Sequence, residues 1–266
     1  MAAEPITLFD DGHHKCLMFD SLVTGEGVQS NQFLIVDGKQ EALIDPGGDL
    51  TYTPLAMAAS RYMNIRDMSY VFASHQDPDI IGAIDRWLIH TRANIVTSKL
   101  WARFLPHLAS GYVTSQLESS VFDRIIAIPD RGARVRFGDS HIECLPAHFM
   151  HSVGNLQFYD PVSRILFSGD LGASMGASED HRPVTDFDRH IPFMEGFHRR
   201  YIGSRKVCEL WANMVRGMDV DKIVPQHGKR FEGPEMVNRF LEWVSSVDCG
   251  IDLMEQDNYR PPKEFV

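Results

Sequence analysis

Short apolar runs that each end in a residue able to bind a metal are what most restricts the folds open to this chain. Tyr70-Val71-Phe72-Ala73 leads into Ser74-His75-Gln76-Asp77-Pro78-Asp79. Later apolar segments end in Leu145-Pro146-Ala147-His148, Leu166-Phe167-Ser168-Gly169-Asp170 and Ile223-Val224-Pro225-Gln226-His227-Gly228. Such runs, rich in β-branched and aromatic residues, read as buried strands. Alternate residues of an extended segment point the same way, so His75, Asp77 and Asp79 can converge on one spot. Four strand ends that each deliver imidazole or carboxylate predict a single site with a metal in it.

Helical patterns lie between these strands. Phe33-Leu34-Ile35-Val36 and Glu41-Ala42-Leu43-Ile44 read as a hairpin, followed by helix over 54–62, a strand at 70–73, helix over 80–90 and a strand-helix pair over 93–108. The chain then turns strand-rich, with runs at 125–128, 134–137, 141–145, 156–159 and 164–167 and a turn at Asp160-Pro161-Val162-Ser163. A long helix is expected over 193–215 and another from Gly233-Pro234-Glu235 to about 247. The second half repeats the order strands, ligand, helix. That order predicts an α/β fold, an αββα sandwich of two facing mixed β-sheets with helices outside. No repeat or linker divides residues 1–266, which read as a single domain. The stretch 174–192, rich in Ser, Asp, His, Pro and Gly, reads as a long surface loop suited to a lid or an interface.

Composition narrows the function. A formal net charge of -10 without any Lys/Arg run argues against nucleic acid and against an anionic membrane as partners. The N-terminus lacks a basic region followed by an apolar stretch, and nothing approaches the roughly 18 to 20 apolar residues of a membrane span, so a cytoplasmic location is expected. Cys16, Cys144, Cys208 and Cys249 form no Cys-x-x-Cys pair and read as buried free thiols. His13, His14, His181 and His190 lack a flanking strand pattern and read as surface residues.

Leu43-Ile44-Asp45-Pro46-Gly47, the His75-x-Asp77-x-Asp79 motif, Pro146-Ala147-His148, Phe167-Ser168-Gly169-Asp170 and Pro225-Gln226-His227-Gly228 resemble, in order and along nearly the whole chain, the successive motifs of the metallo-β-lactamase fold. Hydrolases of that superfamily usually carry His-x-His-x-Asp-His at the first motif. This chain has Asp77 and Ile80 in the second and last of those places, and a carboxylate there is similar to the flavodiiron proteins. The resemblance implies a non-haem di-iron centre, two Fe ions cycling between Fe2+ and Fe3+. The first would be bound by His75, Asp77 and His148, the second by Asp79 and His227, with Asp170 bridging. Three carboxylates make the set harder than a histidine-dominated zinc site, which favours iron or manganese. Flavodiiron proteins carry Glu where Asp77 stands. One methylene less shortens the reach by about 1.5 Å, so Asp77 could ligate directly or through water.

The family's flavodoxin-like domain has no counterpart here, so no bound flavin is expected, and the chain is similar to oxygen-binding di-iron proteins that resemble a flavodiiron core alone. Dioxygen is the implied ligand, with nitric oxide as an alternative. The protein would act as a sensor or carrier, or, with a separate reductase, as an oxidoreductase component; a signalling partner and a homodimer are also implied. A dinuclear hydrolase, phosphodiesterase or esterase, is the competing reading, because the fold commonly performs that chemistry. His151 is open between a proton donor, a gate and a hydrogen-bonded loop residue. Tyr201, three residues after His198, is a candidate to approach the pocket, whereas Phe193, Met194 and Phe197 are expected to pack.

Overall fold

Phe33, Ile35, Ile44 and Phe72 face one way along their strands and Leu34, Leu43 and Val71 the other, the two-residue alternation of strands buried on both faces. The computed structural model describes residues 4–117, 119–176 and 182–263. The first sheet contains β1 (Ile6–Asp10), β2 (His14–Phe19), β3 (Gln32–Asp37), β4 (Gln40–Ile44), β5 (Tyr70–Phe72), β6 (Asn94–Ser98) and β7 (Ile125–Ile128). They lie side by side in that order, antiparallel as far as β4 and parallel from β4 to β7. The second holds β8 (Ala133–Phe137), β9 (Ser140–Pro146), β10 (Leu156–Asp160), β11 (Ile165–Phe167), β12 (Lys222–Val224) and β13 (Phe231–Glu232). Its spatial order is β13-β12-β11-β10-β9-β8, and only β11 and β12 run parallel.

Phenylalanines close the space between the sheets: the rings of Phe33 and Phe167 are 4.9 Å apart and those of Phe72 and Phe158 5.1 Å. Each of these fully buried side chains contributes about 2 kcal/mol by leaving water. The described residues form eight α-helices, in chain order α1 (Asp49–Ala59), α2 (Pro78–Ile81), α3 (Ile84–His90), α4 (Lys99–Ala102), α5 (Gly111–Gln116), α6 (Phe187–Tyr201), α7 (Arg205–Val215) and α8 (Pro234–Val244). Leu55 and Ala58 of α1 and Ile84 and Trp87 of α3 cover the outer face of the first sheet. Met194, Trp211, Phe240 and Leu241 of α6 to α8 cover the second. The result is the expected αββα sandwich. Among the described residues no helix is long and apolar enough to cross a membrane.

Several local expectations are corrected. The helix expected over 80–90 is two, α2 and α3: Gly82 still donates its N–H to the Pro78 carbonyl, and the backbone leaves the helical region at Ala83, with ψ of 15°, before α3 starts. The long helix expected over 193–215 starts earlier, at Phe187, where Asp186 caps it, and breaks after Tyr201. At the break Gly203 donates its N–H to the Phe149 carbonyl at 2.9 Å, so a tertiary contact replaces a helical one. The expected loop over 174–192 is correspondingly shorter, and its residues 177–181, with His181, lie outside the described residues. The hairpin of β1 and β2 carries a polar residue at a buried position and was not legible.

That residue is His14, only 2% exposed, whose Nε2 lies 2.8 Å from Asp160 Oδ2 on the facing sheet. Pairing removes the cost of burying it, so the expected surface position is corrected. His190, expected at the surface, is 5% exposed against the rings of Phe193 and Phe231.

Candidate metal centre

β5 ends at Phe72 beside β4, and the chain leaves both strands at the same edge of the sandwich. Asp45, just after β4, is buried and accepts the Ser74 N–H through Oδ1 at 2.8 Å. Burial pushes its carboxyl up to about 6, against the pull of the His75 charge and the Ser74 hydrogen bond. This contact fixes where the β5 loop turns. Ser74 Oγ then lies 2.9 Å from His75 Nδ1, which leaves His75 Nε2 turned inward.

Around that atom the structure gathers His75, Asp77, His151 and Asp170, each with a ligand atom, all within 4.8 Å of one another. His75 Nε2 is 3.6 Å from Asp170 Oδ2 and 3.8 Å from Asp77 Oδ2. His151 Nε2 is 3.1 Å from Asp170 Oδ2 and 3.2 Å from Asp77 Oδ2. On the other side of the same carboxylate, His227 Nε2 stands 3.4 Å from Asp170 Oδ1 and 3.4 Å from Asp79 Oδ2. Its ring is held by the Gln29 carbonyl, 2.7 Å from Nδ1. Asp170 thus presents one oxygen to each of two half-sites.

His148 is not among them. Its Nε2 lies 2.7 Å from the Asp130 carbonyl oxygen, and its side chain is partly exposed. The expected placement of His148 in the cluster is therefore corrected: His151 stands there instead. The reason is the loop between β9 and β10: Phe149 N–H bonds to Ser152 O and Met150 N–H to Ala147 O, a tight turn that swings residue 148 outward and residue 151 inward. Two histidines three apart in one loop were the available signal; the turn that selects between them was not.

The charge distribution is that of a cation site. Burial alone would raise Asp170, yet His151, His227 and His75 around it hold its carboxyl well below the usual range. Burial would lower His151 and His227, but Asp170 with Asp77 lifts the first to about 10, and Asp170 with Asp79 helps lift the second to about 9. Protons here occupy places a divalent ion would take, since ligands lose them on binding metal. His75 Nε2 and Asp170 Oδ1 are buried without a hydrogen-bond partner, atoms that await a ligand. Imidazole and carboxylate donors in this proportion suit iron, so the residues fit the metal pair expected of them.

A cavity of 410 Å³ opens over both half-sites, walled by Val28, Met175, Phe197 and Tyr201, with Arg200 at its side. Tyr201 stacks on Phe197 at 4.8 Å between centroids, and its ring meets His151 edge-on at 5.7 Å. Tyr201 lines the pocket, and so does Phe197, which was expected to pack.

The chemotaxis sensor ODP, solved as its peroxy diiron species, superimposes with a TM-score of 0.83 at 37% identity, over 96% of this chain and 99% of that one. The apo state of the sensor from T. denticola gives 0.81 at 38%, over 96% and 98%. A flavo di-iron protein from Thermotoga maritima reaches 0.72 at 18% over 90% of this chain and 60% of its own, which shows a shared fold alone. An uncharacterized protein of Methanocaldococcus jannaschii is 25% identical over 85% of this chain, which spans 56% of that protein's length. Residues 28–228, which include every side chain of both half-sites, match the family described as ODP family beta lactamase, and the chain belongs to that family.

Proposed function

We propose that this chain, read as one domain over residues 1–266, is a non-haem di-iron protein that binds dioxygen as a sensor. The observation that carries the reading is the placement of Asp170 between two half-sites beneath an apolar, aromatic-walled cavity. Two iron ions held there would supply a redox-active, oxygen-binding centre of the kind named for the chemotaxis sensor. His75, Asp77 and His151 would hold one ion, Asp79 and His227 the other, and Asp170 both.

The remaining chemistry belongs to the protein. Apolar walls admit a small neutral molecule and shed water. Arg200 is the one Lys or Arg side chain among the described residues that line the cavity, and the walls away from the half-sites, Val28, Met175, Phe197 and Tyr201, are apolar or aromatic, which favours a small neutral ligand over the hydrolase reading. His75 is oriented by Ser74 and His227 by Gln29, so the imidazoles are fixed before any ion arrives. Nitric oxide as a second diatomic, a separate reductase, a signalling partner and a second copy of the chain belong to the same reading.

Metal analysis of protein purified without oxygen, followed by optical spectra on exposure to oxygen, tests it. Two irons per chain and a band that persists for minutes are expected; rapid bleaching under turnover would instead make the protein a reductase component. A single redox-inert ion with no response to oxygen would end the proposal.

A further inference from the structure

We propose that the groove lined by Gln76, Ile81, Trp101, Phe104, Leu105 and Leu108 is a docking site for an acidic amphipathic helix of a partner protein, and that Gln76 couples it to the metal centre. The groove encloses 200 Å³ beside α2, α4 and the turn at Leu105–Leu108. All of its lining except Gln76 is apolar. Phe104 is 49% exposed and Leu108 41%, large side chains left in water at one place on the surface.

Charge selects the occupant. Residues 99–108 include Lys99 and Arg103, both exposed, and no carboxylate, in a chain whose formal net charge is -10. The Arg103 guanidinium sits 5.8 Å from the Phe104 ring, so cation and apolar surface are adjacent. A ridge of apolar side chains flanked by Asp or Glu complements both features. The groove offers side chains rather than a strand edge, which favours a helix with anchors at i, i+3 or i+4, and i+7 over an added strand.

Gln76 gives the groove a route to the site. Its Nε2 donates to Asp77 Oδ1 at 3.1 Å, and its Oε1 accepts from Ser152 Oγ at 2.5 Å. Asp77 and the residue before Ser152, His151, belong to one half-site, so a helix resting on Gln76 is linked through its two hydrogen bonds to both loops that build it. Binding free energies coupled in this way act in both directions: iron changes the partner's affinity by the factor by which the partner changes iron's. The coupling rests on the metal-centre reading; the docking does not.

The probe is a pair of synthetic amphipathic helices with one leucine face and otherwise Glu or Lys, titrated into the full-length protein with and without bound iron. We expect the Glu peptide to bind at least tenfold more tightly than the Lys peptide, and Leu108→Glu to weaken it at least tenfold without altering circular dichroism or iron content. Equal affinity for the two peptides, no binding of either, or an unaffected Leu108→Glu variant overturns the docking site. Iron loading is expected to shift the Glu-peptide affinity at least threefold, a shift that Gln76→Ala removes; an iron-independent affinity overturns the coupling. Iron content is measured on the same samples, so failure of the protein to bind iron stays distinct from failure of the groove.

Discussion

The His198 imidazole takes the backbone of Gly172 as its partner: Nε2 accepts the Gly172 N–H at 3.0 Å, while Nδ1–H donates to the Met194 carbonyl at 2.8 Å. Burial of the ring pushes its pKa down to about 4, so it is neutral in one tautomer near pH 7. Gly172 lies two residues beyond Asp170, and α6 also carries Phe197 and Tyr201. One buried ring therefore ties the carboxylate between the half-sites to the wall of the cavity.

Replacing that ring by Phe strands a buried N–H, at a cost of about 1–3 kcal/mol. The His198→Phe variant is expected to unfold at lower urea concentration and to bind iron at least tenfold more weakly. His198→Gln, which keeps an acceptor and a donor, is expected to recover most of the affinity. Equal iron binding by the two variants would refute this positioning role.

Histidines 148 and 151 can be separated directly. His151→Ala is expected to lower iron from two to about one per chain, because Asp77 and Asp170 lose the imidazole between them. His148→Ala is expected to keep both irons, since that ring bonds the Asp130 carbonyl. Iron analysis by mass spectrometry with the reverse ranking would restore the expectation drawn from sequence.

Asp170→Asn keeps the shape of the side chain and removes its charge. With three imidazoles directed at that carboxylate, the variant is expected to hold fewer than one iron per chain while its far-UV circular dichroism stays that of the parent. Retention of two irons would show that Asp170 does not join the half-sites.

The far end of the sandwich sets a pH dependence of stability. Burial disfavours the charged form of His14, but its hydrogen bond to Asp160 outweighs this and its pKa is raised; burial would raise Asp160, yet His14 and Ser163 hold it below its ordinary value. The His14 contribution is complete below its unfolded pKa near 6.5 and fades as pH rises through the higher folded value. The Asp160 contribution is complete above about 3.8 and fades as pH falls through the lower folded value. His14→Ala, which leaves a buried carboxylate unpaired, is expected to cost about 3 kcal/mol near pH 5.5 and less at pH 9. Urea unfolding across that range measures it, and a pH-independent difference would rule the pair out as the source.

How much was legible follows from the range over which each signal acts. Strand periodicity and the residue after each strand are local, so β5 with His75, Asp77 and Asp79, β11 with Asp170 and β12 with His227 could be read in order, and with them the two facing sheets. What followed a loop rather than a strand could not: His151 displaces His148 because a turn closed by Phe149 and Ser152 rotates one inward and the other out. Gly203 likewise ends a helix through a bond to Phe149 that no helical period announces, and His14 is buried only because Asp160 arrives from the opposite sheet. Sequence by itself determined which chemical groups are delivered to one edge of the fold, since side-chain direction along a strand depends on nearest neighbours. Tertiary structure decided which of them meet and that Asp170 divides them in two, because those distances are set by contacts between segments far apart in the chain.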